Sequence, residues 1–232
     1  AGYNYSTGVE VISYPQYGEW YRDIGSIPRY AVTAMSGRNA LRQLYASVYH
    51  LGGLMSGQRE VGLGIAVSDL YGDGTLYRKT FVMDLGTAWG SQERQLAADQ
   101  LATFPCQGVT GLNPYFLGEN PDPFPSVDRY ATPYGQPIYL MAASNKTLTL
   151  TSGTITSATG TVVPTAQINA ANDPAGLTQP NEVYLVPTQA LENNQTYTVR
   201  LVGRDSGMVT PGNPTGAFDR SFTFQTATFT TN

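Results

Sequence analysis

The sequence predicts an α+β unit followed by an all-β sandwich, and three observations carry that prediction. One apolar stripe at helical spacing stands in the first half, at Leu41, Leu44, Tyr45 and Val48. A period-two hairpin pattern follows it between Glu60 and Met83. From Pro137 onward nearly every segment alternates apolar and polar residues, with Gly, Pro, Asn or Asp breaks at roughly 8–14-residue spacing.

Composition limits what such a chain does. Its 232 residues are enough for one large domain or two ordinary ones. With 41% hydrophobic residues it buries a core and is not a disordered chain. Only 13% of residues are charged, about half the usual share, so polarity rests on Thr, Ser, Asn, Gln and Tyr. Net charge is −4 and no basic run occurs, which argues against nucleic acid as a partner. There is no cationic amphipathic segment for a membrane surface, and no apolar stretch approaches the roughly 18 residues of a membrane span. A single cysteine, Cys106, excludes an internal disulfide and a cysteine-rich zinc site, and a single histidine, His50, leaves little room for a histidine metal cage. Low lysine content and the Thr/Asn/Tyr bias read as an exported bacterial protein, secreted or held in the envelope, its signal peptide removed before Ala1.

Residues 1–35 read as Tyr-rich loop with one short alternation, Val9-Glu10-Val11-Ile12. Residues 36–51 read as one helix, with Ser36 as N-cap and Gly52-Gly53 as its stop, because glycine adopts the left-handed C-terminal conformation cheaply. The hairpin runs Glu60–Val67, turns around Gly72-Asp73-Gly74 and returns along Leu76–Met83. Residues 87–102 have a helix-forming composition but are equally compatible with a loop containing one turn. The prolines between Pro105 and Pro137 favour extended backbone. Candidate strands beyond them are Ile138–Ala142, Thr147–Thr151, Thr161–Val163, Glu182–Val186, Gln195–Val202 and Ser221–Thr228, a small antiparallel sandwich. No internal repeat occurs. The expected division is a first domain over 1–100, a Pro-rich linker over 101–136 and a sandwich over 137–232.

Two groups of residues resemble a known family. Ala1-Gly2-Tyr3, Val9-Glu10-Val11-Ile12-Ser13, Tyr49-His50 and Glu60-Val61-Gly62-Leu63-Gly64, in that order, resemble the later part of a bacterial CAP domain, the superfamily of cysteine-rich secretory, antigen 5 and pathogenesis-related proteins. Phe104-Pro105-Cys106-Gln107-Gly108, Gly118-Glu119-Asn120-Pro121-Asp122-Pro123, Gly135-Gln136-Pro137-Ile138 and Ser221–Thr226 resemble the Pro-rich linker and β-sandwich that follow it in some exported proteins. The resemblance implies a partial α-β-α sandwich, incomplete at its N-terminus, joined to an immunoglobulin-like domain. It also implies a cleft of two histidines and two acids, in which His50 matches the second histidine and Glu10 the first acid. The first histidine would lie before Ala1. The second acid has no counterpart, since the helix carries Arg42 and Gln43, and Leu51 stands where bacterial members often carry arginine.

The candidate ligand-binding residues are therefore Glu10, His50, Trp20 and Tyr21. On one unbroken helix His50 sits about 180° from Leu41, off the apolar stripe, where it either faces solvent or lines a cleft with Glu10. A carboxylate–imidazole pair suits proton transfer or metal ligation. One His and one Glu are too few for tight zinc, so no cofactor is expected, and a divalent metal, if held, would use His50. Trp20 and Tyr14, Tyr17 and Tyr21 offer rings for sugars or aromatic ligands, against the plainer reading of loop core. Glu119 and Asp122 form the best local carboxylate pair, but read as linker polarity. Cys106, with no cation near it in sequence, reads as buried and inert. Asp205-Ser206-Gly207 reads as a turn rather than a calcium loop. The leading functional reading is a non-catalytic envelope protein that binds a small ligand, a lipid or a protein partner. The alternatives are a hydrolase using Glu10 and His50, and a cell-wall or carbohydrate-binding adhesion module.

Overall fold

The structure is a computed structural model and describes residues 3–4, 9–13, 37–69, 77–116, 118–128 and 131–228, of which 3–4, 9–13, 37–40, 65–69 and 77–82 are described by their backbone. Among the described residues strand predominates, 41% in three sheets, with two short helices making up 10%. That overturns the expected α+β class: among the described residues no α-β-α sandwich of the CAP type is evident. The turn at residues 72–74 and the N-cap at Ser36 lie outside the described residues. Among the described residues no helix is long and apolar enough to cross a membrane.

The chain divides into two compact units, residues 1–42 with 56–94, and residues 43–55 with 95–232. In the first, β1 (Tyr3–Asn4), β2 (Val9–Ser13), β3 (Glu60–Asp69) and β4 (Tyr77–Ala88) form an antiparallel sheet. Strand β4 is central, because its residue Val82 pairs with Val11 of β2 and with Gly64 of β3. Glu10 falls on β2, opposite Met83.

The second unit has two packed sheets. One orders β10 (Thr165–Asn169), β11 (Glu182–Pro187), β7 (Ile138–Met141) and β5 (Ala102–Phe104). The other orders β6 (Val109–Leu112), β13 (Ala217–Thr226), β12 (Thr196–Asp205), β8 (Leu148–Ser157) and β9 (Val162–Val163). Residues 101–136, expected to be linker, thus supply β5 to one sheet and β6 to the other. Residues 91–101 form an extended loop with one turn and no helix. Ile138, Leu140, Val183 and Leu185 face Leu150, Ile155, Val199, Leu201 and Phe224 across the core between the sheets. Strand β12 alternates buried and exposed as the sequence pattern requires, with Tyr197, Val199 and Leu201 inward and Thr196, Thr198 and Arg200 outward.

The four-stranded sheet differs, since β7 and β11 are buried on both faces. A second core lies on its outer side: Tyr139, Tyr184, Val186 and Ile168 pack with Ala46, Val48 and Leu51 and with Phe116 and Tyr134. Ala46, Val48 and Leu51 come from the expected helix of residues 36–51. That helix is in fact two, α1 (Gly37–Ala46) and α2 (Val48–Leu54), broken at Ser47, whose backbone is extended at φ −101° and ψ 160°. Gly52 and Gly53 do not end α2. Gly52 is instead a point of close approach: a Cβ there collides with the Tyr184 hydroxyl.

Candidate functional site

The sole histidine sits in α2, and the carboxylate that meets it is Glu119. Segment 113–136 brings Glu119 to the helix. Its fold is held by the Asp122 Oδ1, which accepts the Phe124 N–H at 2.7 Å, by the Phe124 ring stacked on Tyr134 at 4.3 Å, and by the Phe116 N–H donated to the Tyr134 carbonyl. The Glu119 Oε1 accepts the Val48 N–H at 2.5 Å. Its Oε2 accepts the Tyr49 N–H at 3.0 Å, the His50 N–H at 3.4 Å and the His50 Nδ1–H at 3.0 Å. The helix places those donors there because its first-turn N–H groups have no partner within the helix, and the positive end of its dipole favours an anion. Ser47, the N-cap by position, makes no capping bond with its own side chain; its hydroxyl donates to the Leu44 carbonyl at 2.9 Å. Glu119 therefore caps α2 from about seventy residues away in sequence.

A carboxylate accepts only, so the His50 ring is the donor at Nδ1. The Ser47 Oγ lies 3.1 Å from that same Nδ1. A hydrolytic triad needs the serine and the carboxylate on opposite ring nitrogens. Here both converge on one, and the serine is buried. The Glu119 side chain is 1% exposed and that of His50 29%. Four N–H donors converge on this one carboxylate, one on Oε1 and three on Oε2. Both oxygens are thus engaged at the start of α2. Among the described residues no group of three or more His, Cys, Asp or Glu is placed to hold a metal ion.

A second clasp lies beside the first. The Tyr49 hydroxyl donates to the Asp173 Oδ1 at 2.5 Å. The remaining capacity of Asp173 is taken by the Ala175, Leu177 and Thr178 N–H groups and by the Thr178 hydroxyl, at 2.7–3.0 Å. Burial raises the Asp173 pKa, but these hydrogen bonds outweigh it and hold the carboxyl below the usual aspartate value. The Gln136 amide donates to the Tyr45 carbonyl at the end of α1.

Beneath α2 the Tyr139 hydroxyl donates to Glu182 at 2.7 Å. Burial pushes the Tyr139 phenol well above its ordinary value, with the Glu182 charge adding to it. Burial does the same to Tyr184, with the Glu182, Glu119 and Asp173 charges in support. A phenol whose folded pKa is raised stabilises the fold fully below its unfolded pKa of about 10, and that stability is lost as pH rises toward the folded value. Stability is therefore expected to fall steadily above about pH 10. In a tyrosinate absorbance titration the signals of Tyr139 and Tyr184 should appear only with unfolding. Full ionisation of all sixteen tyrosines while the far-ultraviolet dichroism stays native would refute this.

The structure brings His50 to Glu119, which the sequence assigns to linker polarity. Glu10 belongs to the other unit, and its side chain, like Trp20, Tyr14, Tyr17 and Tyr21, lies outside the described residues. Asp173 and the hydroxyl of Tyr49 were missed; Asp173 is separated from α2 by more than a hundred residues, and no local spacing marks it. Cys106 is exposed rather than buried, on the turn between β5 and β6, its thiol 3.4 Å from the Thr103 carbonyl. Asp205 forms the expected turn: its Oδ1 accepts the Gly207 N–H and caps the 3₁₀ turn Ser206–Met208. No protein-family model matches the chain, and no curated protein matches it.

Proposed function

We propose that this is a non-catalytic exported protein of the cell envelope or exterior, whose second unit is a rigid module that presents surfaces to a ligand or protein partner. The observation that supports this reading is the engagement of both Glu119 oxygens by the start of α2. The one imidazole of the chain is tied to a buried carboxylate that holds the start of α2 to the segment carrying Glu119, rather than to one that faces a substrate. The surface such a module presents includes the outer side of its five-stranded sheet. There Thr198 stands between Thr156 and Thr223, and Arg200 between Thr154 and Ser221. This face is hydroxyl-rich and nearly neutral, its Arg200–Asp219 pair at 2.7 Å being internally balanced.

The test is a turnover screen with ester, peptide and glycoside substrates, comparing the wild-type chain with His50→Gln. No turnover that depends on His50 is expected. Turnover lost in His50→Gln while the dichroism stays native at the assay temperature overturns the reading in favour of a hydrolase.

A second reading, carbohydrate or cell-wall adhesion, is favoured by Trp89, which is 74% exposed just past β4. Exposed indole is costly to leave in water and suits stacking on sugar rings. Under that reading Trp89→Ala is expected to reduce pull-down by purified cell wall, and equal retention of both proteins argues against it.

A further inference from the structure

We infer that β3 is a self-association edge, on which two copies of this chain join their four-stranded sheets by antiparallel pairing about a two-fold axis at Gly64. Strand β3 runs ten residues and pairs with β4 along one edge; among the described residues no strand pairs with its other edge. Such an edge is a template for another strand, and proteins usually blunt it with proline, lysine or a bulge. Residues 60–69 contain no proline and no lysine, and their pairing with β4 is continuous from Glu60 to Asp69. The strand instead leaves Val61 59% and Leu63 63% exposed, two large apolar side chains on one face of an edge.

The sequence of this edge is complementary to itself. Antiparallel pairing centred on Gly64 sets Leu63 opposite Ile65 and Val61 opposite Val67, apolar against apolar on one face. On the other face it sets Gly62 opposite Ala66 and Glu60 opposite Ser68. At each end it sets Arg59 opposite Asp69, so that the two-fold axis produces this opposite-charge pair twice. Arg59 is exposed, and its Nε donates to the Gln92 carbonyl, which leaves the terminal nitrogens of the guanidinium as donors. Neighbouring registers lose the match. A shift of one residue puts Glu60 against Asp69, like charge on like, and sets Leu63 against Ala66. The self-complementarity of both charge and side-chain size commits the edge to a second copy rather than to an unrelated strand.

The test is sedimentation velocity over a wide concentration range on the full chain. The wild type is expected to show a reversible monomer–dimer equilibrium that weakens with added salt. Arg59→Asp and Asp69→Arg singly are expected to raise the dimer dissociation constant by about tenfold or more, since each places two like-charge pairs in the interface. The double variant restores both pairs with their signs exchanged and is expected to return to near the wild-type constant. Leu63→Lys changes an already exposed position and should yield a folded monomer. A wild-type chain that stays monomeric at every concentration overturns the inference. A dimer that persists unchanged in Leu63→Lys, or a double variant as weak as the singles, overturns it as well.

Discussion

Replacing Glu119 with alanine is expected to destabilise the second unit by about 3 kcal/mol, the largest loss from any single side chain outside its central core. The carboxylate is buried and receives three backbone N–H groups and the imidazole N–H. An alanine leaves those N–H groups without an acceptor at the start of a seven-residue helix, which is too short to persist by its own hydrogen bonds. Glu119→Gln keeps the volume but turns amide hydrogens toward other donors, so it recovers only part of the loss. His50→Gln removes one donor of the four and is expected to cost about 1 kcal/mol. Urea unfolding followed by dichroism measures all three, with the midpoint moving and the slope unchanged. If Glu119→Ala unfolds within about 0.5 kcal/mol of the wild type, a value ordinary for a surface change, the carboxylate is not the clasp described above.

The second large effect reverses an ordinary rule. Within a helix, Gly→Ala normally stabilises by about 1 kcal/mol. Gly52→Ala is expected to destabilise by about 2 kcal/mol, because the new methyl group collides with the Tyr184 hydroxyl. Tyr184 is buried between α2 and Tyr139, whose ring centroid is 4.9 Å away, so its ring has no room to yield. Removing the hydroxyl removes the collision, since the next atom, the ring Cζ, lies at an ordinary 3.5 Å. In a Tyr184→Phe background, Gly52→Ala should therefore be neutral or stabilising. A double-mutant cycle reads this directly. Equal effects of Gly52→Ala in the two backgrounds would mean that the glycine serves the helix backbone and not the contact.

Much of the strand content was legible because the sandwich strands that face water on one side carry a strict alternation. Residues 196–202 alternate through Thr, Tyr, Thr, Val, Arg, Leu and Val, and the structure places the tyrosine, the inner valine and the leucine inward. Six sandwich strands were located from their apolar pattern and the turn residues between them. Three others were not, and each has a reason. Strand β10 follows Pro164 and buries only Ile168, while β5 and β6 are three and four residues long within a Pro- and Gly-rich stretch. The uninterrupted runs Ile138-Tyr139-Leu140-Met141 and Val183-Tyr184-Leu185-Val186 did hold a further signal. They lack a polar alternate, which marks a sheet covered on both faces and hence an outer layer.

The helix was read with the right residues and the wrong continuity. Helical-wheel reasoning puts His50 opposite Leu41 only if the helix is unbroken, and the extended backbone of Ser47 resets the phase between them. The resemblance to a CAP domain rested on short motifs around this helix, and motifs of that length do not specify which layer a helix joins. Ala46, Val48 and Leu51 are buried against sandwich residues, not within an α-β-α layer.

By itself the sequence determined the β-rich second half, the low-charge surface, the hairpin β3–β4 and the fact that any imidazole chemistry must pass through one residue. These follow from local periodicity and from counting, which need no knowledge of distant neighbours. Only the tertiary structure decided that His50 would meet Glu119, that Tyr49 would reach Asp173, and that Gly52 would lie against Tyr184. Those partners are 69, 124 and 132 residues apart. Their meeting depends on which sheet face the broken helix covers, and no periodicity along the chain encodes that choice.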